Sequence, residues 1–316
     1  MYVMQRCIGA FLIFSILLSC GSSSSSPGES KQIAIIVSTL NNPWFVFLAE
    51  SAKKEAESRG YVARIFDSQN NTSLESDHFE NAVALGYQAI LLNATDSDGS
   101  IANARKAMEA GIPVFCMDRE LNNPAAATSQ IVSDSYSGCV ELGSLFVRSL
   151  AKKGKYVELL GLVGDNNTWN RSKGFHAVVD EFSEIEMVAQ QSADFDRNKA
   201  MEVLESILQA HPDVDAVFCG NDAMAMGAQQ ALVAAGKAAN VRVYGFDGSE
   251  DAVQSVQQGG MDATVMQFPQ QIAQIAVGFA DEYFNGKTDF PQRTLVDVEL
   301  VTPTNVNIYT SYGKEE

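Results

Sequence analysis

Ile33-Ala34-Ile35-Ile36-Val37, followed directly by Ser38-Thr39-Leu40-Asn41-Asn42-Pro43-Trp44-Phe45, is the stretch from which the rest of the chain can be read. The five apolar residues make a strand of a sheet covered on both faces. The run after them puts hydroxyl, amide and two aromatic rings at the strand's C-terminal end, which is where ligands sit in open α/β sheets. A monosaccharide presents hydroxyl edges that need hydrogen-bond partners and C–H faces that need flat apolar surfaces, and the segment offers both. The same residues also read as a Pro-started helix with a hydrophobic first turn.

Outward from this segment the chain alternates short β-rich runs with helical periodicity, as at Ala200, Val203, Leu204, Ile207 and Leu208. Candidate strands are residues 33–37, 62–66, 89–92, 113–117, 156–163, 216–219, 241–246 and 263–267. This βαβ rhythm predicts an α/β fold of doubly wound parallel sheets with helices on both faces. An internal echo divides it, because Asn93 and Asp118 end strands 25 residues apart and Asn221 and Asp247 end strands 26 residues apart. Two similar lobes follow, residues 31–133 plus 268–296 and residues 134–267 plus 297–316. Several crossing strands would form the hinge and restrict motion to a bend. Asp222 is expected to cap the next helix, leaving Asn221 to face the cleft, and Gly245-Phe246-Asp247-Gly248 reads as a turn that projects its acid.

A chain of 316 residues, 46% of them apolar, can bury two moderate cores. Its 22 basic and 39 acidic residues give a net charge of −17, which repels phosphate backbones and argues against nucleic acid as a partner. Near the N-terminus Arg6 precedes an apolar run over residues 8–18, too short to span a bilayer, that ends Leu17-Leu18-Ser19-Cys20. This pattern resembles a bacterial lipoprotein signal peptide. It implies removal of residues 1–19, lipidation of Cys20 and a solvated Ser/Gly-rich tether over residues 20–30. The mature protein would then be anchored outside the cytoplasm, in the periplasm or on the outer face of the cell membrane. The remaining Cys116, Cys139 and Cys219 are odd in number and read as buried apolar residues, not as a disulfide framework.

Taken together, the strand ends resemble those of ribose-type periplasmic sugar-binding proteins, the type I periplasmic binding proteins, over about residues 31–310. The resemblance implies ligand contacts at Ser38, Asn42, Trp44, Phe45, Asn93, Asp118 and Arg119 in the first lobe. In the second it implies Arg171, Phe195, Asn221, Phe246 and Asp247, with Gln267 near the crossover. Ionised Asp118 and Asp247 only accept hydrogen bonds, Arg119 and Arg171 only donate, and Asn93, Asn221 and Gln267 do both, so the set can satisfy sugar hydroxyls. Trp44, Phe45, Phe195 and Phe246 would cover the C–H faces. Two acids against two arginines predict a nearly neutral site, suited to an uncharged ligand. The position of Trp44 is more often phenylalanine in the ribose group. D-ribose leads as ligand, with allose, other monosaccharides and furanosyl signals as alternatives. The resemblance further implies a monomer that delivers its sugar to the permease of an ATP-binding-cassette importer, with a chemoreceptor or sensor kinase as the alternative partner.

Catalysis finds little support. His78, His176 and His211 have no nucleophile or carboxylate motif beside them, no Gly-x-Ser-x-Gly elbow occurs, and Gly161-Leu162-Val163-Gly164 is too sparse to cradle a phosphate. Asp67-Ser68-Gln69-Asn70-Asn71-Thr72 lacks the glycine and glutamate of a calcium loop and reads as a turn. Neither metal nor cofactor is expected. A sugar-responsive repressor would carry DNA-binding helices ahead of the core, where this chain has its signal-like segment and tether.

Overall fold

A computed structural model describes residues 31–314; the signal-like segment, Cys20 and the tether lie outside the described residues. The first lobe runs β1 (Gln32–Val37), α1 (Pro43–Ser58), β2 (Val62–Asp67), α2 (Thr72–Ala84), β3 (Ala89–Leu92), α3 (Ile101–Glu109), β4 (Val114–Met117) and β5 (Ser129–Ser133). The chain then crosses into α4 (Ser135–Ser149), β6 (Gly154–Leu160), α5 (Asn166–Val179), β7 (Ile185–Ser192), α6 (Arg197–Ala210) and β8 (Ala216–Cys219). The second lobe continues through α7 (Asp222–Ala234), β9 (Arg242–Tyr244), α8 (Glu250–Gln258) and β10 (Thr264–Met266). It returns as α9 (Pro269–Phe284) and β11 (Arg293–Val296), crosses again into β12 (Glu299–Val301), and ends in the hairpin of β13 (Tyr309–Thr310) and β14 (Gly313–Lys314).

The first sheet has the order β11-β5-β4-β3-β1-β2 and the second β7-β6-β8-β9, all parallel. β10 extends the second sheet through a parallel bridge from Tyr244 to Ala263 and pairs antiparallel with β12. Each lobe therefore winds in the same order from its own first strand, as the repeated Asn/Asp spacing predicted. The order reverses between β1 and β3 in one lobe and between β6 and β8 in the other, and those are the positions where an open α/β sheet leaves a crevice for ligand. Each sheet carries one buried apolar layer on either face.

The eight candidate strands all form, with ends that differ by at most a few residues. The run over 156–163 stops at Leu160 and that over 241–246 pairs only across Arg242–Tyr244. Six strands have no counterpart among the candidates. β5 buries Ser129, Gln130 and Ser133, and β7 is an edge strand with half-exposed polar residues, so neither carries an apolar signature. Cys116, Cys139 and Cys219 are buried, and among the described residues none is paired.

The hinge has three crossings and a strap. The backbone N–H of Asp134 donates to Val296 O at 2.8 Å, tying the first crossing to the third. Tyr309 packs in the second lobe's core, whereas Tyr312 packs in the first lobe's core against Phe47. The last described residues thus belong to both lobes, not to the second alone. Inside the second lobe Phe175 stacks on Phe218 with centroids 4.1 Å apart and meets Phe146 edge-on at 4.9 Å.

His176, the next residue of α5, bonds Glu158 of β6 at 2.9 Å and Asp180 at 2.7 Å. The bond to buried Glu158, aided by Asp180, raises its pKa to about 9 from the ordinary 6.5. Because the folded value is the higher one, the stabilisation is complete below pH 6.5 and is lost as pH rises through about 9. Thermal unfolding between pH 6 and pH 9.5 is expected to show this decline, and a His176→Gln variant to lack it; equal slopes in the two proteins would remove His176 as the cause.

Candidate functional site

A small cavity lies between the lobes, lined by Asn42, Trp44, Phe45 and Asp118 from the first, by Asp165, Asn167, Arg171, Phe195, Asn221 and Asp247 from the second, and by Gln267 at the crossover. Both readings of the opening segment hold together: α1 starts at Pro43, and Asn42 caps it by accepting from the Trp44 N–H at 2.9 Å. Asn221 does the same for α7, accepting from the Met224 N–H at 2.9 Å. With each oxygen committed to a helix, the amide nitrogens remain for the cavity. This corrects the expected cap. Asp222 is instead the buried first residue of α7, holding the Thr264 hydroxyl at 2.6 Å and the Ser249 N–H at 2.8 Å.

The acids that follow β4 and β9 both sit in the left-handed backbone region, with φ 68° at Asp118 and φ 132° at Asp247. Non-glycine residues rarely adopt such values, and they collect where geometry serves a site. The Gly-Phe-Asp-Gly turn does project its acid, but into the closed cavity, so that Asp247 is only 5% exposed. Asp118 receives Asn93 Nδ2 on one oxygen at 3.2 Å and Asn167 Nδ2 on the other at 3.2 Å. Asp247 receives Gln267 Nε2 at 2.8 Å and lies 3.5 Å from Arg171 Nη1. Burial, with the nearby Asp165 charge, pushes the Asp118 pKa up to about 7 against the pull of Arg171 and Arg119. Burial likewise raises Asp247 well above the carboxylate range, although Arg171 opposes it.

Four of the implied contacts stand one layer behind the wall. Ser38 donates to Asn93 Oδ1 at 2.7 Å, and Asn93 in turn holds Asp118. The Arg119 guanidinium lies 4.8 Å from the centre of the Phe45 ring and bonds Ala94 O at 3.1 Å. Phe246 is fully buried beneath the Arg171 guanidinium, 3.9 Å away, so it supports a cation where a sugar face was expected. Phe195 does line the cavity, in positive φ at 60°, and its ring occupies space that a side chain at Gly161 would fill: a Cβ there would come within 2.0 Å.

Two lining residues were not anticipated, Asp165 and Asn167. They follow β6 at the strand-end position equivalent to the others, and the Asp-Asn-Asn sequence before a helix reads as an ordinary cap, which Asp165 also is, accepting from the Asn167 N–H at 2.9 Å. Asp165 corrects the charge balance as well: three acids, Asp118, Asp165 and Asp247, stand against Arg119 and Arg171. Three lining residues each retain a buried polar atom without a partner, the donors Trp44 Nε1 and Arg171 Nε and the acceptor Gln267 Oε1.

Two α/β lobes of one topology, crossed by several strands and closed over a polar, ring-lined cavity, define a type I periplasmic binding protein. The chain belongs to the periplasmic binding protein family, whose domain model matches residues 33–288, and within it to the ribose-binding type. It is 43% identical over 289 residues to a D-apiose import binding protein of Paraburkholderia graminis, covering 91% of this chain and 92% of that one. It is 36% identical to the ribose import binding protein of Bacillus subtilis, covering 90% and 95%. Among solved structures it is similar to a solute-binding protein from Actinobacillus succinogenes with bound D-allose, at 30% identity and a TM-score of 0.83, covering 89% and 100%.

Proposed function

We propose that this protein captures a monosaccharide between its lobes, a pentose such as D-ribose or D-apiose, and hands it to an ATP-binding-cassette importer. The observation that carries the reading is the set of unsatisfied groups facing one small cavity. Trp44 Nε1 and Arg171 Nε lack acceptors, Gln267 Oε1 lacks a donor, and the two acids are buried with few donors. A buried polar atom left alone costs about 1–3 kcal/mol, so the ligand must both donate and accept at several points. Hydroxyl groups do so, and a phosphate would instead meet three acids. The names of the relatives, which range from apiose to ribose to allose, support the sugar class. The lining acids are held by amides and a guanidinium.

The expected anchor is a lipid on Cys20. Among the described residues no helix is long and apolar enough to cross a membrane. Thermal unfolding of the fragment from Lys31 onward against D-ribose, D-apiose, D-allose and myo-inositol tests the reading, because a ligand that binds only the folded state raises the midpoint by mass action. A rise with one pentose is expected. A rise with allose alone would move the specificity to a hexose, and no rise with any sugar would overturn the proposal.

A further inference from the structure

The cavity wall contains one contact that does not serve the ligand. Arg119, which follows β4 in the first lobe, lies with its Nε 2.6 Å from Asp165 Oδ2 at the start of α5 in the second lobe, and both side chains are 2% exposed. Among the described residues it is the one Arg/Asp pair that joins β4's end to α5. The contact is one of charge, since the Nε–H has no hydrogen-bond acceptor along its own direction. The other oxygen of Asp165 caps α5. Both oxygens of Asp165 are therefore engaged, and Arg119 is drawn behind Phe45 out of the cavity lining.

The surrounding contacts run the same way. Ser97 N–H donates to Gly164 O at 2.9 Å, Asn166 Nδ2 to Asn122 Oδ1 at 2.9 Å, and Asn170 Nδ2 to Glu120 Oε1 at 3.2 Å, each linking the first-lobe segment over 96–122 to the second-lobe segment over 164–170. The Asp96 side chain lies against the Gly164 backbone, so that a Cβ at Gly164 would fall 2.1 Å from Asp96 Oδ2. Partners on different lobes separate when the cleft opens, so a charge pair between them biases the open–closed equilibrium without touching the ligand.

We propose that Asp165 is a positioning residue that latches the cleft shut by pairing with Arg119, and that it thereby keeps this guanidinium off the ligand and leaves Asn167 to make the contact at that wall. The proposal rests on the sugar-binding reading for its effect on affinity, but not for its effect on closure. Asn167 is placed for the role: its Nδ2 reaches both Oδ1 and the backbone O of Asp118, at 3.2 and 3.3 Å.

The test compares the chain as expressed with Asp165→Asn, Arg119→Gln and the double variant. Asparagine is as good a helix cap as aspartate, so Asp165→Asn removes the charge and keeps the start of α5. Two readouts are needed: small-angle X-ray scattering without sugar, and calorimetric affinity for whichever sugar of the panel binds. Each single variant is expected to have a larger ligand-free radius of gyration, and to bind about 5- to 150-fold more weakly, the range of a typical coupling between states. The double variant should bind no more weakly than the worse single one. Additive losses, or an unchanged radius in both single variants, would overturn the latch. If no sugar binds any of the four proteins, the sugar reading falls while scattering still decides the latch. Should Asp165→Asn fail to fold, Arg119→Gln interrogates the same pair from the other lobe.

Discussion

Asp118→Asn is expected to weaken sugar binding by on the order of 100-fold, with the ligand-free protein as stable as before or more so. The side chain keeps its shape, and asparagine tolerates the left-handed φ of 68° better than almost any residue but glycine. What disappears is an acceptor-only group. The carboxylate holds one amide on each oxygen and offers its remaining lone pairs to two hydroxyls, whereas an asparagine amide nitrogen would face the Asn93 or Asn167 donor head-on. The stability argument has the opposite sign. Burial lifts this acid from 3.8 to about 7, so in the empty cleft it costs stability that grows as pH rises through that window, and the neutral amide carries no such cost. Titration calorimetry and a ligand-free melting curve at pH 8 separate the two effects. Wild-type affinity would remove Asp118 from the site, and a collapsed midpoint would show it to be structural.

The second large effect falls on the fold. Phe175→Ala should cost about 3–5 kcal/mol, the range for truncating a fully buried aromatic side chain. Phe175 sits at 0% exposure between Phe218, Phe146 and Tyr156, and the ring pairs add to the lost burial. It also holds α5 against the sheet, and α5 carries Asp165, Asn167 and Arg171 into the cavity from its first two turns. The loss should therefore appear in the urea midpoint and again as weakened sugar binding in whatever protein still folds. A cost under about 1.5 kcal/mol would mean that the cluster collapses into the space, as well-tolerated core substitutions do.

The sequence disclosed the parts of the molecule that follow simple periodicities. Buried parallel strands such as β1, β3 and β8 are continuous apolar runs, and their helices repeat at the helical spacing, so the sheets could be traced without side-chain detail. β5, β7 and the late strands could not, because their pairing is imposed by neighbours brought from far along the chain: β11 meets β5 across some 160 residues, with Arg293 beside Gln130. The site was legible in type and less so in depth. Ser38, Asn93, Arg119 and Phe246 occupy the right strand ends, but whether such a residue reaches the cavity or braces one that does depends on packing across the cleft. Asp165 and Asn167 escaped because a polar run before a helix is explained by capping alone, and their second task exists only once the other lobe arrives.

The first lobe's core is discontinuous. It includes Ile272, Ala276 and Val277 of α9, Phe290, Val296 and Tyr312, all made after β6–β10 of the second lobe. A ribosome emits residues in order, and a domain ordinarily folds when its last core residue emerges. Here the first lobe cannot be completed until β6–β10 of the second have been made, so most of the chain is synthesised before either the first sheet's outer strand or its covering helix exists. A polypeptide that must be threaded through a membrane before it folds gains from that delay, and the order of its segments supplies it.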